Sequence, residues 1–254
     1  MNSIVKSILS FFWKVSTLVP VVRKVIAYTY YFLNGTKRQI SNRSNRINIV
    51  LNDKFPFFKK NIFVINGINN QIIIKEGVKI VNTQFKINGN NNKILISKQC
   101  LINNSCVWIE GNNSQIKIDK NTSIAKAIIG VAEPKSSITI GENCMFAHDI
   151  DIRCGDSHSV IDLKSGKRIN YAKNIVIEDS VWLAMGVKIL KSLTIGKGTI
   201  VGAGSIVTKD IPKNSLAVGI PARIAKTDVT WLREKIPLED NESDNLSKVV
   251  TYQS

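Results

Sequence analysis

At 254 residues the chain is long enough for one substantial core plus appendages. Hydrophobic residues supply 44% of it but aromatics only 7%, so the core rests mainly on Ile and Val, which suits β structure. The formal charge of +16 asks for an anionic partner, yet no nucleic-acid-binding motif or basic–aromatic interleaving is present, so no nucleic acid is expected.

Residues 1–60 form a basic, aromatic-rich arm in which Asp53 is the only acid. Its apolar run, with Phe11, Phe12, Trp13, Tyr28, Tyr30 and Tyr31, is broken by Lys6, Lys14, Pro20, Arg23 and Lys24. No charge-free stretch reaches the roughly 20 residues that span a bilayer. No small-residue cleavage site follows the apolar run, so a signal peptide is not expected. The pattern predicts two short helices hinged near Pro20. Two placements stay open for them. Their apolar faces pack on the body or on a neighbouring subunit, or they lie on the cytoplasmic face of the inner membrane with Lys and Arg at anionic headgroups.

Residues 61–152 carry a long repeat. The glycines Gly67, Gly89 and Gly111 follow one another at 22-residue steps, each in an Asn-rich segment. The same step links Ile74, Ile96, Ile118 and Ile140. It also links Val78, Cys100, Thr122 and Cys144, a column of small residues. Twenty-two is three sixes plus four, so each turn has three sides and one corner with a short excursion. Asn and Gly suit that corner because they tolerate left-handed backbone angles. A disordered tract has no reason to hold such an apolar register. The column also accounts for the cysteines as buried, reduced thiols, which fits the cytoplasm. No C-x-x-C pair exists and there are only two histidines, so no metal site is expected.

The pattern stops over residues 153–174, a polar and basic stretch holding His158. A long excursion from a rigid coil is often functional. From Ile177 an uninterrupted six-residue period follows: Ile177, Leu183, Ile189, Ile195, Val201 and Val207. Residues 61–225 are thus one coil domain with a protruding loop. Residues 226–254 are its exit, with a short helix predicted at Thr230–Lys235 and a polar, acidic tail.

Several motifs occur in order over residues 138–226: Gly155-Asp156-Ser157-His158, Val181-Trp182-Leu183-Ala184 24 residues on, Val201-Gly202-Ala203-Gly204-Ser205, Val207-Thr208-Lys209-Asp210-Ile211-Pro212, and Gly219-Ile220-Pro221-Ala222-Arg223. Together they resemble the hexapeptide-repeat acyltransferases, in the branch of galactoside and maltose acetyltransferases and capsule or lipopolysaccharide O-acetyltransferases. Ala184 stands where that family usually has Gly, Ile220 and Arg223 where it has Asn and Lys, and Ser159 where the sugar acetyltransferases have Pro. The resemblance implies an all-β fold, a left-handed parallel β-helix, and a homotrimer that binds acetyl-CoA between neighbouring prisms.

Transfer of acetyl from a thioester to a hydroxyl needs a base, and a neutral imidazole serves at pH 7, contributing typically ~10²–10⁴-fold. By the resemblance His158 is that base and the Met185 amide donates to the oxyanion. Trp182, Ala203, Ser205, Thr208, Lys209, Arg223 and Lys226 are assigned to the cofactor, the cations to its phosphates. His148, Asp156 and Tyr171 are assigned to the acceptor, with Asp156 or a backbone carbonyl as candidates to orient the imidazole. The expected substrate is a hydroxyl of a surface polysaccharide or its precursor, acidic or lipid-linked. The alternatives are N-acetyl transfer to serine or an amino sugar, and a non-catalytic β-helix scaffold.

Overall fold

A computed structural model describes residues 35–49 and 56–236. The two helices expected near Pro20, and the acidic tail, lie outside the described residues. The chain winds through three parallel sheets, visiting each once per turn. Face A is eight-stranded: β1 (Lys37–Ile40), β4 (Ile62–Asn66), β7 (Gln84–Asn88), β10 (Cys106–Glu110), β13 (Ala127–Val131), β16 (Ile150–Arg153), β19 (Lys188–Ile189) and β22 (Ile206–Val207). Face B is seven-stranded: β2 (Arg46–Ile49), β5 (Gln71–Ile74), β8 (Lys93–Ile96), β11 (Gln115–Ile118), β14 (Ser137–Ile140), β17 (Ile175–Ile177) and β20 (Leu193–Ile195). Face C is nine-stranded: β3 (Phe57–Lys59), β6 (Lys79–Val81), β9 (Leu101–Asn103), β12 (Ser123–Ile124), β15 (Met145–Phe146), β18 (Trp182–Leu183), β21 (Ile200–Val201), β23 (Ser215–Gly219) and β24 (Ala222–Thr227). Among the described strands the terminal β23–β24 pair alone is antiparallel. This is the expected left-handed parallel β-helix.

The repeats become buried columns. Ile74, Ile96, Ile118 and Ile140 stack from face B, and Ile177, Leu183, Ile189, Ile195, Val201 and Val207 are all fully buried. Burying such a side chain contributes about 1.5–3 kcal/mol, so the columns are the main source of stability. The excursion of the 22-residue repeat is the A–B corner. There Asn69, Asn91 and Asn113 take positive φ. Beside them Asn70 and Asn92 are buried and donate to Gly89 O at 2.7 Å and Gly111 O at 2.8 Å in the next turn. The small column behaves likewise: Cys100 Sγ donates to Asp119 O at 3.0 Å and Thr122 Oγ1 to Gly141 O at 2.8 Å. All four cysteines are free, and only Cys106 is not fully buried.

Two boundaries differ from expectation. The coil begins at Lys37, ahead of residue 61, because β1 and β2 pair with β4 and β5. At the other end Thr230–Lys235 forms no helix. Its polar groups bond face C instead. Trp231 Nε1 donates to Ser180 O at 2.6 Å, and the Arg233 guanidinium donates to Cys144 O at 2.8 Å and Ser123 Oγ at 2.8 Å.

Candidate active site

The long loop leaves β16 after Arg153 and rejoins face B at β17, so it is an enlarged A–B corner. Its outer part is a small hairpin. Ile169 N–H donates to Val160 O and Asp162 N–H to Lys167 O, both at 2.9 Å. Leu163 at the tip is 97% exposed. Asn170 fastens the base of this arm. Its Nδ2 donates to His158 O at 2.7 Å and to Asp156 Oδ2 at 2.8 Å, while its Oδ1 accepts from Val160 N–H at 2.7 Å. Lys191, from the same corner one turn on, donates to the Asp156 carboxylate and to Asn170 O at 2.9 Å. These contacts, Lys191 first and Asn170 second, hold the Asp156 carboxyl below the usual carboxylate range. Arg168 pairs with Glu133 of the preceding turn and lies 5.0 Å over the exposed Tyr171 ring.

Asp156 and His158 make no side-chain hydrogen bond with each other within one chain. The Asp156 carboxylate is engaged by Lys191 and Asn170, and the exposed His158 ring has no hydrogen-bond partner among the described residues. What is fixed is the His158 backbone, through its carbonyl.

Met185 and Ala203 stand on a different edge, the C–A corner. Gly186 N–H donates to His148 O at 2.9 Å, and Gly204 N–H to Met185 O at 2.8 Å, so residues 148, 185 and 203 stack in successive turns. Met185 is 60% exposed. Its N–H and that of Ala203 have no acceptor among the described residues. They are donors available to a ligand. No Cβ would meet anything within 4 Å at Gly204, so the corner is open there.

Within one chain, then, His158 and Met185 are not brought together. Face A lies between their corners. The histidine stacked under Met185 is His148. The cofactor candidates divide in the same way: exposed Thr208 and Lys209 follow β22 on the A–B side, whereas exposed Arg223 and Lys226 lie on β24 at the end of face C. Ser205 is the exception. It is fully buried and accepts from Gly219 N–H at 3.0 Å, so its hydroxyl fixes the terminal hairpin and is closed to a cofactor. Trp182 packs against Trp231, with ring centroids 5.9 Å apart. Sequence reasoning gave no role to Asn170, Lys191 or Trp231. Nothing in sequence linked Lys191 to Asp156, 35 residues away.

The bacterial transferase hexapeptide (six repeats) family matches residues 174–209. The polysialic acid O-acetyltransferase of Escherichia coli O1:K1 / APEC is 40% identical over 90 residues, 35% of this chain and 29% of that protein. The galactoside O-acetyltransferase of Lactococcus lactis subsp. lactis is 39% identical over 82 residues, 32% and 39% of the two. The aligned segments thus span well under half the length of these relatives. Among solved structures, the polySia specific acetyltransferase NeuO matches with 31% identity and a TM-score of 0.64 over 85% of this chain and 99% of that one. The polysialic acid O-acetyltransferase OatWY matches with 26% identity and a TM-score of 0.71 over the same shares. Three faces, a hexapeptide core and this likeness along almost the whole of a solved relative place the chain in the hexapeptide-repeat acyltransferase family.

Proposed function

We propose that the chain is an acetyl-CoA-dependent O-acetyltransferase acting on a hydroxyl of a surface polysaccharide or its precursor. The observation that carries this reading is the 31% identity to NeuO over 99% of its length. In the reaction the acceptor oxygen attacks the thioester carbon and its proton passes to the His158 imidazole. The tetrahedral oxyanion accepts from the open Met185 N–H. The C–S bond then breaks, and the imidazole returns the proton to the CoA sulfur. Ala203 N–H, Thr208, Lys209, Arg223 and Lys226 bind the cofactor, the cations at its phosphates.

Because His158 and Met185 occupy different edges, the working site is shared between copies in a homotrimer. The His158 arm of one copy meets the Met185 corner of its neighbour. The placement of His148 under Met185 favours a second reading, in which His148 is the base and each chain works alone. Complementation separates the two. His158→Ala and Ala203→Trp are each expected to abolish acetyl transfer. Co-assembled, they regain activity if the site is shared, since some sites then draw both intact halves. A His158→Ala variant that keeps its activity, beside a His148→Ala variant that loses it, would establish the single-chain reading. The basic, aromatic residues 1–35 fit a peripheral position at the cytoplasmic face of the inner membrane. Deleting them is expected to release the protein from the membrane fraction, and an unchanged distribution would end that idea.

A further inference from the structure

Below the Met185 corner, the same C–A edge carries an open groove of about 500 Å³. It runs along face A from Ile62 on β4 to Lys188 on β19. At the ~4.8 Å spacing of paired strands that is roughly 24 Å. Its upper end joins the candidate site directly. Lys126 O accepts from Ile150 N–H at 3.2 Å, and the next turn up is His148 beneath Gly186 and Met185.

The lining has a consistent chemistry. Half-exposed Ile62, Cys106 and Ile128 form an apolar floor. Asn82 and Asn104 line one side as an amide ladder, Asn82 Nδ2 donating to Asn104 Oδ1 at 2.9 Å. Both acids of the groove are already neutralised. Asp149 pairs with Lys126 at 2.6 Å and Asp151 with Arg153 at 2.8 Å. Lys60 and Lys188, at the two ends, have no carboxylate within ion-pair distance among the described residues. The excess is therefore positive. An apolar floor suits the faces of sugar rings, amides suit their hydroxyls, and spaced ammonium groups suit carboxylates.

We propose that this groove holds the non-reacting units of an acidic polysaccharide acceptor, so that acetylation takes place on a polymer. The proposal rests on the acetyl-transfer reading for what happens at the Met185 end. Its length supports a chain of several units, since a single sugar would leave most of the groove and Lys60 unused. Remote contacts of this kind hold the acceptor while the reacting hydroxyl is positioned.

Cys106 lies in the groove, and the other three cysteines are buried, so thiol alkylation reports occupancy without relying on turnover. Polysialic acid and alginate serve as acidic probes, with neutral dextran of matched length as control. An acidic probe at ten times its Kd is expected to slow Cys106 alkylation about tenfold, and dextran is not. The double variant Lys60→Gln/Lys188→Gln is expected to lose that protection. Lys93→Gln, on face B, is expected to keep it. Three results would overturn the proposal: no protection by either acidic polymer, equal protection by dextran, or a Cys106 unreactive in the free native protein because another copy covers the groove. Failure of the transfer reading is seen separately, as absence of acetyl-CoA cleavage with any acceptor while Cys106 protection persists.

Discussion

Gly89 and Gly204 both have positive φ, yet they face different constraints. A Cβ at Gly89 would stand 1.8 Å from Gly111 O, whereas at Gly204 it would meet nothing within 4 Å. Gly89→Ala must push one turn off the next, and about 4 kcal/mol of lost stability is expected. Gly204→Ala carries only the left-handed backbone penalty of about 1–2 kcal/mol. Denaturant midpoints of the two variants check this, and equal losses would contradict the close-stacking account. The cysteines give a second test. Burial pushes the Cys100 and Cys144 thiols up to about 12. At mildly alkaline pH, alkylation of the free native protein is expected at Cys106 only, and at every cysteine in denaturant. The sign for stability follows. Thiols with raised values stabilise the fold fully below their ordinary 9.0 and contribute less as pH rises beyond it, so the unfolding midpoint should fall above that pH.

Two elements outside the coil are held by few, identifiable contacts. The His158 arm depends on Asn170, whose side chain bonds Asp156, His158 O, Val160 N–H and Arg168 Nε. At about 0.5–1.5 kcal/mol net per bond, Asn170→Ala should release the arm. The expected result is at least about tenfold lower kcat with an unchanged global unfolding midpoint, because positioning of the proposed base is lost while the core is untouched. A lowered midpoint would instead make the arm part of the core. Asp156, held below the usual carboxylate range, keeps its pairing with Lys191 above the ordinary value of 3.8 and loses it only in stronger acid. The closing strap depends on Trp231 and Arg233. Trp231→Ala removes the Trp182 contact and the bond to Ser180 O, and about 2 kcal/mol of stability is expected to go with them. Calorimetry of that variant measures it.

For the whole molecule, the coil is a one-dimensional stack in which each turn contacts its neighbours. Inner turns are covered on both sides; the first and last are covered on one. Hydrogen exchange is therefore expected to be slowest from β7 to β17 and fastest at β1, β2 and β24. Uniform protection would show that the ends are covered by another copy. The same stack sets two open corners on opposite edges of face A, which under the proposed function are two half-sites of one chain.

The core was legible in the sequence because each turn repeats one stereochemical task. An inward aliphatic recurs wherever a short strand must face the axis, and small or Asn/Gly residues recur at fixed corners. That determined the three-sided coil and the cysteine column, while the candidacy of His158 came from the loop that interrupts the pattern and from the family resemblance. The first strands escaped because β1 pairs with β4 at Lys37–Ile62, a 25-residue step that breaks the 22-residue register. The end of the chain escaped because Trp231 and Arg233 find carbonyls on face C that no local pattern announces. Only the tertiary structure decided which edge each residue occupies. His158 and Met185 are close in sequence, but a strand of face B and one of face C lie between them, so chain distance says nothing about shared corners. The groove below Met185 has the same origin: its walls come from successive turns, and no single stretch of sequence contains it.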